Sequence, residues 1–134
     1  MDIIYRSTKE ELTPGNLKDL FSSVDYAVCL TPDELFRAVM ASTHIVAAWD
    51  GPVPVGFIRS MDDCIYSATI DLLLVRPNYR RRGVARALLR HLLAEIEAIR
   101  YISVSPNESA NNRLYTDFGF QVIDGAGLLQ RENV

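Results

Sequence analysis

A basic turn in the middle of the chain combines residues that can bind a phosphate-bearing ligand. Residues 74–90 read LVRPNYRRRGVARALLR, so an apolar strand leads into three consecutive arginines and then into a helix. Within the turn, Arg80, Gly83 and Ala85 form the pattern Arg-x-x-Gly-x-Ala. Small residues let backbone N–H groups approach an anion, and the helix N-terminus adds the positive end of its dipole. The stretch therefore predicts a pyrophosphate cradle between a strand and a helix.

The elements around this cradle can be placed from hydrophobic periodicity and capping signals. Thr13-Pro14 and Thr31-Pro32 begin helices, and Glu34 completes a capping box at the second. The predicted strands are 3–7, 44–49, 53–61, 67–75, 101–105, 120–123 and 128–131, and the predicted helices are 14–24, 32–42, 83–98 and 109–118. This order, β-α-α-β-β-β-α-β-α-β-β, predicts an α/β (α+β) fold with a mixed sheet of six to seven strands flanked by about four helices.

The composition is typical of one globular domain spanning residues 1–134. Apolar residues make up 49% of the 134 residues, which is enough to fill a core. No apolar run approaches the ~20 residues of a membrane span, and the start, MDIIYRSTKEE, lacks an apolar signal core. Cys29 and Cys64 are far apart, which favours two reduced thiols. We therefore expect a cytoplasmic protein without a membrane partner.

The basic residues are concentrated in one place. The net charge is −3, yet six of the fourteen basic residues fall between Arg76 and Arg90. A nucleic-acid-binding protein is more often basic over a whole face, and Tyr79 is the one aromatic residue interleaved with these arginines. The distribution favours a local anionic ligand over a nucleic acid.

Two motifs resemble those of the GNAT acyltransferase superfamily. Arg80, Gly83 and Ala85 fill the positions of its acetyl-CoA signature, and residues 112–120, NRLYTDFGF, match a second block built around Leu-Tyr-x-x-x-Gly-Phe. The order of elements is similar over about residues 3–131. Short stretches also resemble a compact bacterial subgroup that is distantly similar to plant arylalkylamine acetyltransferases.

The resemblance implies that acetyl-CoA is the co-substrate. Its pyrophosphate would accept hydrogen bonds from the backbone of the basic turn and the first turn of the helix. The residues implied are Arg80, Arg81, Arg82, Gly83, Val84, Ala85 and Arg86. The alternative is that Gly83 only ends a turn and that the arginines are solvated.

In the family, the strand before the cradle separates from its neighbour, and the pantetheine arm pairs with the exposed backbone. The corresponding residues here are Leu73, Leu74 and Val75, one of which would also polarise the thioester carbonyl. An ordinary buried strand would carry the same side chains, so this implication rests on the resemblance.

The second block implies a general acid. Tyr115 takes the position of the tyrosine that protonates the departing thiolate, although a tyrosine packed against the sheet is the alternative. Asn107 and Asn112 are candidates for contacts to the coenzyme A arm. The family asparagine usually lies seven residues before the tyrosine, where this chain has Glu108.

Asp71 is the candidate base because it is the only charge in the central strand TIDLLLV. The alternation of a strand would place it on one face with Thr69, Leu73 and Val75. A charge in this position is costly unless it is paired or belongs to a site, so a structural arginine partner is the alternative. Further candidates are Asp62, Asp63 and Glu108.

No metal is implied, because neither His44 nor His91 has a partner at triad or metal-ligand spacing in the sequence. Each histidine is interpreted as structural.

The acceptor is expected to be a small amine. In the superfamily the two N-terminal helices form one wall of its pocket, and here that wall offers Phe21, Tyr26, Leu30 and Phe36. Acetylation of protein lysines or N-termini, and a non-catalytic module that binds coenzyme A, remain alternatives. Analogy with the superfamily also allows a homodimer.

Overall fold

Seven strands and four α-helices make up the part of the chain that the computed structural model describes, residues 2–27, 29–106, 112–123 and 128–133. The strands are β1 (Ile3–Arg6), β2 (His44–Asp50), β3 (Val53–Asp62), β4 (Ser67–Val75), β5 (Tyr101–Val104), β6 (Gln121–Ile123) and β7 (Leu128–Glu132). The helices are α1 (Pro14–Ser22), α2 (Pro32–Met40), α3 (Val84–Glu95) and α4 (Asn112–Thr116), and a 3-10 turn (Pro77–Tyr79) follows β4. The predicted order and the mixed α/β class are confirmed.

All seven strands form one sheet in the order β1-β2-β3-β4-β5-β7-β6. Only β4 and β5 pair in parallel among the described strands. Because α3 connects these two strands, it lies on one face of the sheet, where its buried residues join one core cluster. Helices α1 and α2 contribute their buried residues to a second cluster, which lies on the other face. None of the described helices is long and apolar enough to span a bilayer.

Capping residues fix the starts of α1 and α2. The Thr13 hydroxyl accepts a hydrogen bond from the Asn16 amide at 3.1 Å, and Thr31 accepts one from Glu34 at the same distance. Both helices end two residues earlier than predicted. Near each end a serine hydroxyl donates to a helix carbonyl, Ser23 to Leu20 at 2.6 Å and Ser42 to Ala38 at 3.4 Å. Such bonds compete with continuation of the helix.

Helix α3 also stops earlier than predicted, at Glu95 rather than residue 98. The chain turns at Ile96 and Ile99, and the Asn133 side chain donates to both of their carbonyls, at 3.4 and 2.7 Å. These bonds supply hydrogen-bond donors to carbonyls at the end of the helix, which would otherwise need the N–H groups of a further helical turn. The predicted start of α4, at residue 109, lies outside the described residues.

Strand β4 contains a β-bulge. Its partner β3 pairs Phe57 with Leu74 and Arg59 with Asp71, so Leu72 and Leu73 share a single opposing residue. Leu72 takes a φ of 56°, in the left-handed region.

The bulge reverses the alternation of side chains along the rest of β4. Leu72 and Leu74 pack with the α1–α2 cluster, whereas Leu73 and Val75 pack with the α3 cluster. The expectation that Asp71 shares a face with Leu73 and Val75 is therefore wrong, because an inserted residue shifts the two-residue period by one.

Strands β4 and β5 separate beyond their first four pairs. Pairing runs from Ser67–Tyr101 to Ile70–Val104, where β5 ends, while β4 continues to Val75. Residues 71–73 of β4 are consequently only partly buried. Beyond Ile70 the edge of β4 is thus not paired with β5, which is the separation that the resemblance implies.

Gly56 on β3 allows α3 to approach the sheet closely. A Cβ atom built there would lie 3.0 Å from Leu88 Cδ1, 3.2 Å from Val84 Cγ1 and 3.3 Å from the Leu74 carbonyl. Val84 begins the helix that follows the basic turn, so Gly56 sets the position of the cradle through packing.

We expect Gly56→Ala to lower the free energy of unfolding by about 1–3 kcal/mol, the usual cost of overpacking. Urea denaturation measures the effect. Gly15→Ala in α1 is the matched control, because its nearest atom would be the Thr13 hydroxyl at 3.9 Å. That control should be neutral or stabilising by roughly 0.4–1 kcal/mol. An equal response of the two variants would contradict the packing argument.

Candidate active site

The basic turn borders a groove of about 320 Å³, which is within the range of small-molecule sites. The groove is lined by residues from the end of β4, the turn, α3 and α4, namely Val75, Tyr79, Arg80, Arg81, Gly83, Val84, Ala85, Arg86, Arg113 and Leu114. Six of the predicted cradle positions, 80, 81 and 83–86, are therefore brought together.

The backbone of the turn presents N–H groups to this groove. The first helical hydrogen bond runs from the Ala87 amide to the Gly83 carbonyl, at 3.0 Å. The N–H groups of Val84, Ala85 and Arg86 precede it, and such groups have no carbonyl partner within a helix. Arg81 and Gly83 take φ values of 64° and 78°, and left-handed residues are typical of turns whose backbone amides bind anions. This arrangement can bind an anion.

The arginine side chains have separate roles. Arg80 Nε lies 3.4 Å from the Val75 carbonyl, and the Arg82 guanidinium lies 5.5 Å from the centre of the Tyr79 ring. Arg86 donates to Asp117 at 2.7 Å, which ties α3 to the segment after α4. Arg80 and Arg81 are exposed and border the groove, so their charge favours a polyanionic ligand.

Three groove residues were not predicted: Tyr79, Arg113 and Leu114. Tyr79 is anchored by its hydroxyl, which donates to the Asp50 carboxylate. A signal was present, because Tyr79 lies inside the basic turn and the other two immediately precede Tyr115. Asn112 begins α4 next to Arg113, whereas Asn107 lies outside the described residues.

Tyr115 lies at the opening between β4 and β5. It is 2% exposed and lines a narrow cleft with Asp71, Leu72, Leu73, Val104, Ser105 and Pro106. Burial raises the pKa of the Tyr115 phenol well above its ordinary value, and the neighbouring Tyr26 and Asp71 raise it further. The phenol therefore keeps its proton at neutral pH and can donate it.

Asp71 is paired with an arginine, as the alternative interpretation allowed. Arg59 binds it through two hydrogen bonds, Nε to Oδ1 at 2.6 Å and Nη2 to Oδ2 at 3.2 Å. Arg59 Nη1 also donates to the Ala38 carbonyl in α2 at 3.2 Å. Arg59 was not predicted, although it is the only basic residue in β3. Since the Asp71 side chain is 40% exposed, the pair still offers a carboxylate to the cleft.

The predicted aromatic wall is partly present. Tyr26 and Phe36 are half-buried and pack in the same cluster as Leu72 of the bulge. Phe21 is buried at 1% exposure and supports the wall from the core, and Leu30 is exposed. Phe21, Tyr26 and Leu30 also border a pocket of about 110 Å³ at α1 and α2. The Asp71 carboxylate thus stands beside a largely apolar surface.

His44 has an acidic partner that spacing in the sequence did not indicate. His44 Nδ1 lies 2.8 Å from Asp62 Oδ2, so His44 does have a titratable partner. The two residues are 18 positions apart and meet only because β2 and β3 pair. His91 stacks on Tyr5, with ring centres 4.9 Å apart.

Comparison with known sequences identifies one family. A family model described as an acetyltransferase (GNAT) domain matches residues 41–122. No curated protein sequence matches the chain. The predicted similarity to plant arylalkylamine acetyltransferases is not among these findings and stays a prediction.

Solved structures of the same fold include several acetyltransferases. A proposed acetyltransferase from Deinococcus radiodurans is 26% identical, with a TM-score of 0.81, over 92% of this chain and 85% of that one. A GNAT-family acetyltransferase from Streptococcus pneumoniae is 23% identical, with a TM-score of 0.74, over 90% and 87%. An aminoglycoside 6′-N-acetyltransferase in complex with coenzyme A is 14% identical, with a TM-score of 0.78, over 98% and 97%.

Proposed function

This chain belongs to the GNAT family of acetyltransferases, which use acetyl-CoA, and we propose that it acetylates the primary amine of a small molecule. The observation that carries the proposal is the bulge in β4. It directs Leu72 toward the apolar α1–α2 side and Leu73 toward the α3 side, where the cradle lies. Two substrates could thus approach the same short stretch of backbone from opposite faces.

Acetyl-CoA is proposed to bind along the α3 side. Its pyrophosphate accepts hydrogen bonds from backbone N–H groups between Arg81 and Arg86. Its pantetheine arm pairs with the β4 edge at residues 73–75, which β5 leaves unpaired. This path ends at the cleft that contains Tyr115, and the groove and cleft share the β4 strand as a wall.

The amine is proposed to enter beside Tyr26, Phe36 and Leu72. An amine that has an apolar body and a cationic group matches this wall, because the Asp71 carboxylate lies next to it. An alkylammonium group has a pKa near 10.4, so its deprotonation costs about 4.6 kcal/mol at pH 7. Asp71 acts as the base, directly or through water, and Arg59 holds its carboxylate in place.

Acetyl transfer then proceeds by direct attack. The neutral amine nitrogen bonds to the thioester carbonyl carbon, and a β4 backbone N–H stabilises the resulting oxyanion. The carbon–sulfur bond breaks, and Tyr115 donates its proton to the departing thiolate. The products are the N-acetylamine and coenzyme A. Asp71 passes the first proton of the ammonium group to solvent, and the second proton, which the nitrogen loses as the tetrahedral intermediate collapses, restores the Tyr115 phenol directly or through water.

A thiol-release assay with an amine panel tests this proposal. The panel contains an arylalkylamine, a polyamine and a lysine-containing peptide, each supplied with acetyl-CoA. We expect amine-dependent release of coenzyme A that is fastest for a small amine with an apolar body. Turnover only with the peptide would instead favour a protein acetyltransferase. Binding of acetyl-CoA without turnover would favour a non-catalytic module.

Asp71→Asn tests the proposed base separately. We expect kcat for an alkylamine to fall about 100-fold, the usual contribution of a general base. An arylamine is already neutral at pH 7, so its kcat should fall much less. The amide oxygen of the introduced asparagine can still accept a hydrogen bond from Arg59, which limits structural damage. Equal losses for the two acceptors would contradict a base role.

Two further proposals rest on the sequence alone. We place the protein in the cytoplasm, and we allow a homodimer in which C-terminal strands pair.

A further inference from the structure

A second cluster of reactive side chains lies at the β3–β4 turn. It consists of His44 at the start of β2, Asp62 at the end of β3 and Cys64 in the turn. One donor atom from each residue lies within 4.8 Å of the other two. None of the three lines the acetyl-CoA groove or the Tyr115 cleft. We propose that these residues bind a Zn²⁺ ion.

The donor set matches the chemistry of zinc. An imidazole nitrogen, a carboxylate oxygen and a thiolate sulfur are the three donor types that Zn²⁺ takes from proteins. Calcium and magnesium prefer oxygen donors, so the histidine and the cysteine disfavour them. Three protein ligands leave a fourth tetrahedral position for water, and Cys64 is exposed to solvent.

The Asp62 carboxylate is held in place before any ion binds. Its side chain is fully buried, at 0% exposure. The Ser60 hydroxyl donates to Oδ2 at 2.7 Å, and the Cys64 amide donates to Oδ1 at 2.9 Å. The Asp62 amide in turn donates to the Thr43 hydroxyl at 3.0 Å. Such supporting bonds orient a carboxylate ligand.

Cys64 is held beside this carboxylate by an uncommon backbone conformation. Its φ is 67°, in the left-handed region that glycine or asparagine usually takes. The following turn is fixed by Asp63, whose Oδ1 accepts from the Ile65 and Tyr66 amides at 2.9 and 2.7 Å. The backbone conformation, and not the side-chain rotamer alone, therefore places the Cys64 thiol near the Asp62 carboxylate.

The contact between His44 and Asp62 requires only a small adjustment to admit an ion. His44 Nδ1 and Asp62 Oδ2 now share a hydrogen bond of 2.8 Å. Around a tetrahedral Zn²⁺ with bonds of about 2.0–2.1 Å, two such donors would lie about 3.3–3.4 Å apart. The ion would replace the shared proton and widen this contact by roughly half an ångström.

The test uses Co²⁺ as a spectroscopic substitute for Zn²⁺. Full-length protein treated with a chelator is titrated with Co²⁺, and a thiolate-to-cobalt charge-transfer band is followed in the near ultraviolet. We expect one Co²⁺ per chain, together with visible bands of a tetrahedral site, and stoichiometric displacement by Zn²⁺. Cys64→Ser should abolish the charge-transfer band and weaken Zn²⁺ binding about 100-fold or more.

Cys29→Ser is the matched control because Cys29 is the other free, exposed cysteine. It should keep the band and the affinity. His44→Gln provides a second variant, with Zn²⁺ affinity measured by calorimetry, and retained acetyl-CoA binding reports that each variant is folded. The proposal is overturned if the charge-transfer band survives Cys64→Ser, or if the two cysteine variants lose Zn²⁺ affinity equally. It is also overturned if the wild type forms no one-to-one complex with Co²⁺.

Discussion

Gly83→Glu is expected to weaken acetyl-CoA binding about 100-fold or more, to below detection in a calorimetric titration. Gly83 is the N-cap of α3 with a φ of 78°, and no heavy atom lies within 4 Å of the place where a Cβ would stand. A glutamate there would occupy the anion site and repel the pyrophosphate. Like charges in contact cost several kcal/mol, and about 3 kcal/mol corresponds to roughly a 100-fold loss.

Gly51→Glu separates this repulsion from backbone strain. Gly51 also has a positive φ, 58°, and also has no heavy atom within 4 Å of a Cβ position. It lies in the turn between β2 and β3, so the same substitution adds the same strain and charge outside the groove. We expect comparable losses of stability in the two variants, with acetyl-CoA binding retained only in Gly51→Glu. Binding that survives in both would contradict the cradle assignment.

Tyr115→Phe is expected to reduce kcat about 100-fold while leaving the affinity for acetyl-CoA within about twofold. The substitution removes only the hydroxyl, so the buried ring and its edge contact with Phe120 remain. Without a proton donor, the coenzyme A thiolate must leave as an anion. Tyr66→Phe is the matched control, since that tyrosine is exposed, and its kcat should be unchanged. Unaltered kcat in Tyr115→Phe would contradict the general-acid role.

The raised pKa of Tyr115 also predicts a pH dependence. Burial is the largest cause, so the folded protein holds the phenol neutral above the ordinary tyrosine pKa of about 10. The kcat profile should therefore show no loss from Tyr115 ionisation below about pH 10. The unfolded chain ionises this phenol above about pH 10, whereas the folded protein does not. The stabilising contribution to the free energy of unfolding is therefore complete below about pH 10 and is lost as the pH rises toward the folded pKa. Tyr115→Phe should consequently resist alkaline unfolding better than the wild type does.

Local patterns in the sequence were sufficient to place the strands. Each predicted strand lies within one residue of the observed bounds, because alternation and turn residues act over short distances. The groove at the basic turn could be predicted for the same reason. Its proposed role in binding pyrophosphate depends on the backbone of one continuous stretch, Arg80 to Arg86, and not on residues that the fold must bring together.

Features that depend on strand register could not be predicted. The bulge at Leu72 follows from how β4 pairs with β3. Because the nine-residue strand is mostly apolar, its sequence pattern does not indicate an inserted residue. The partner of Asp71 is also a matter of register, since Arg59 stands opposite it across the two strands. The contact between His44 and Asp62 has the same origin, which is why sequence spacing failed to find it.

A crystal structure of the protein with acetyl-CoA would test the central claim most directly, namely that the cradle and the opening in the sheet form one substrate site. We expect the pyrophosphate within hydrogen-bonding distance of the amides between Arg81 and Arg86. The pantetheine arm should run along residues 73–75 of β4, with the thioester sulfur next to the Tyr115 hydroxyl. Acetyl-CoA bound on the α1–α2 side, or with its sulfur remote from Tyr115, would contradict the account.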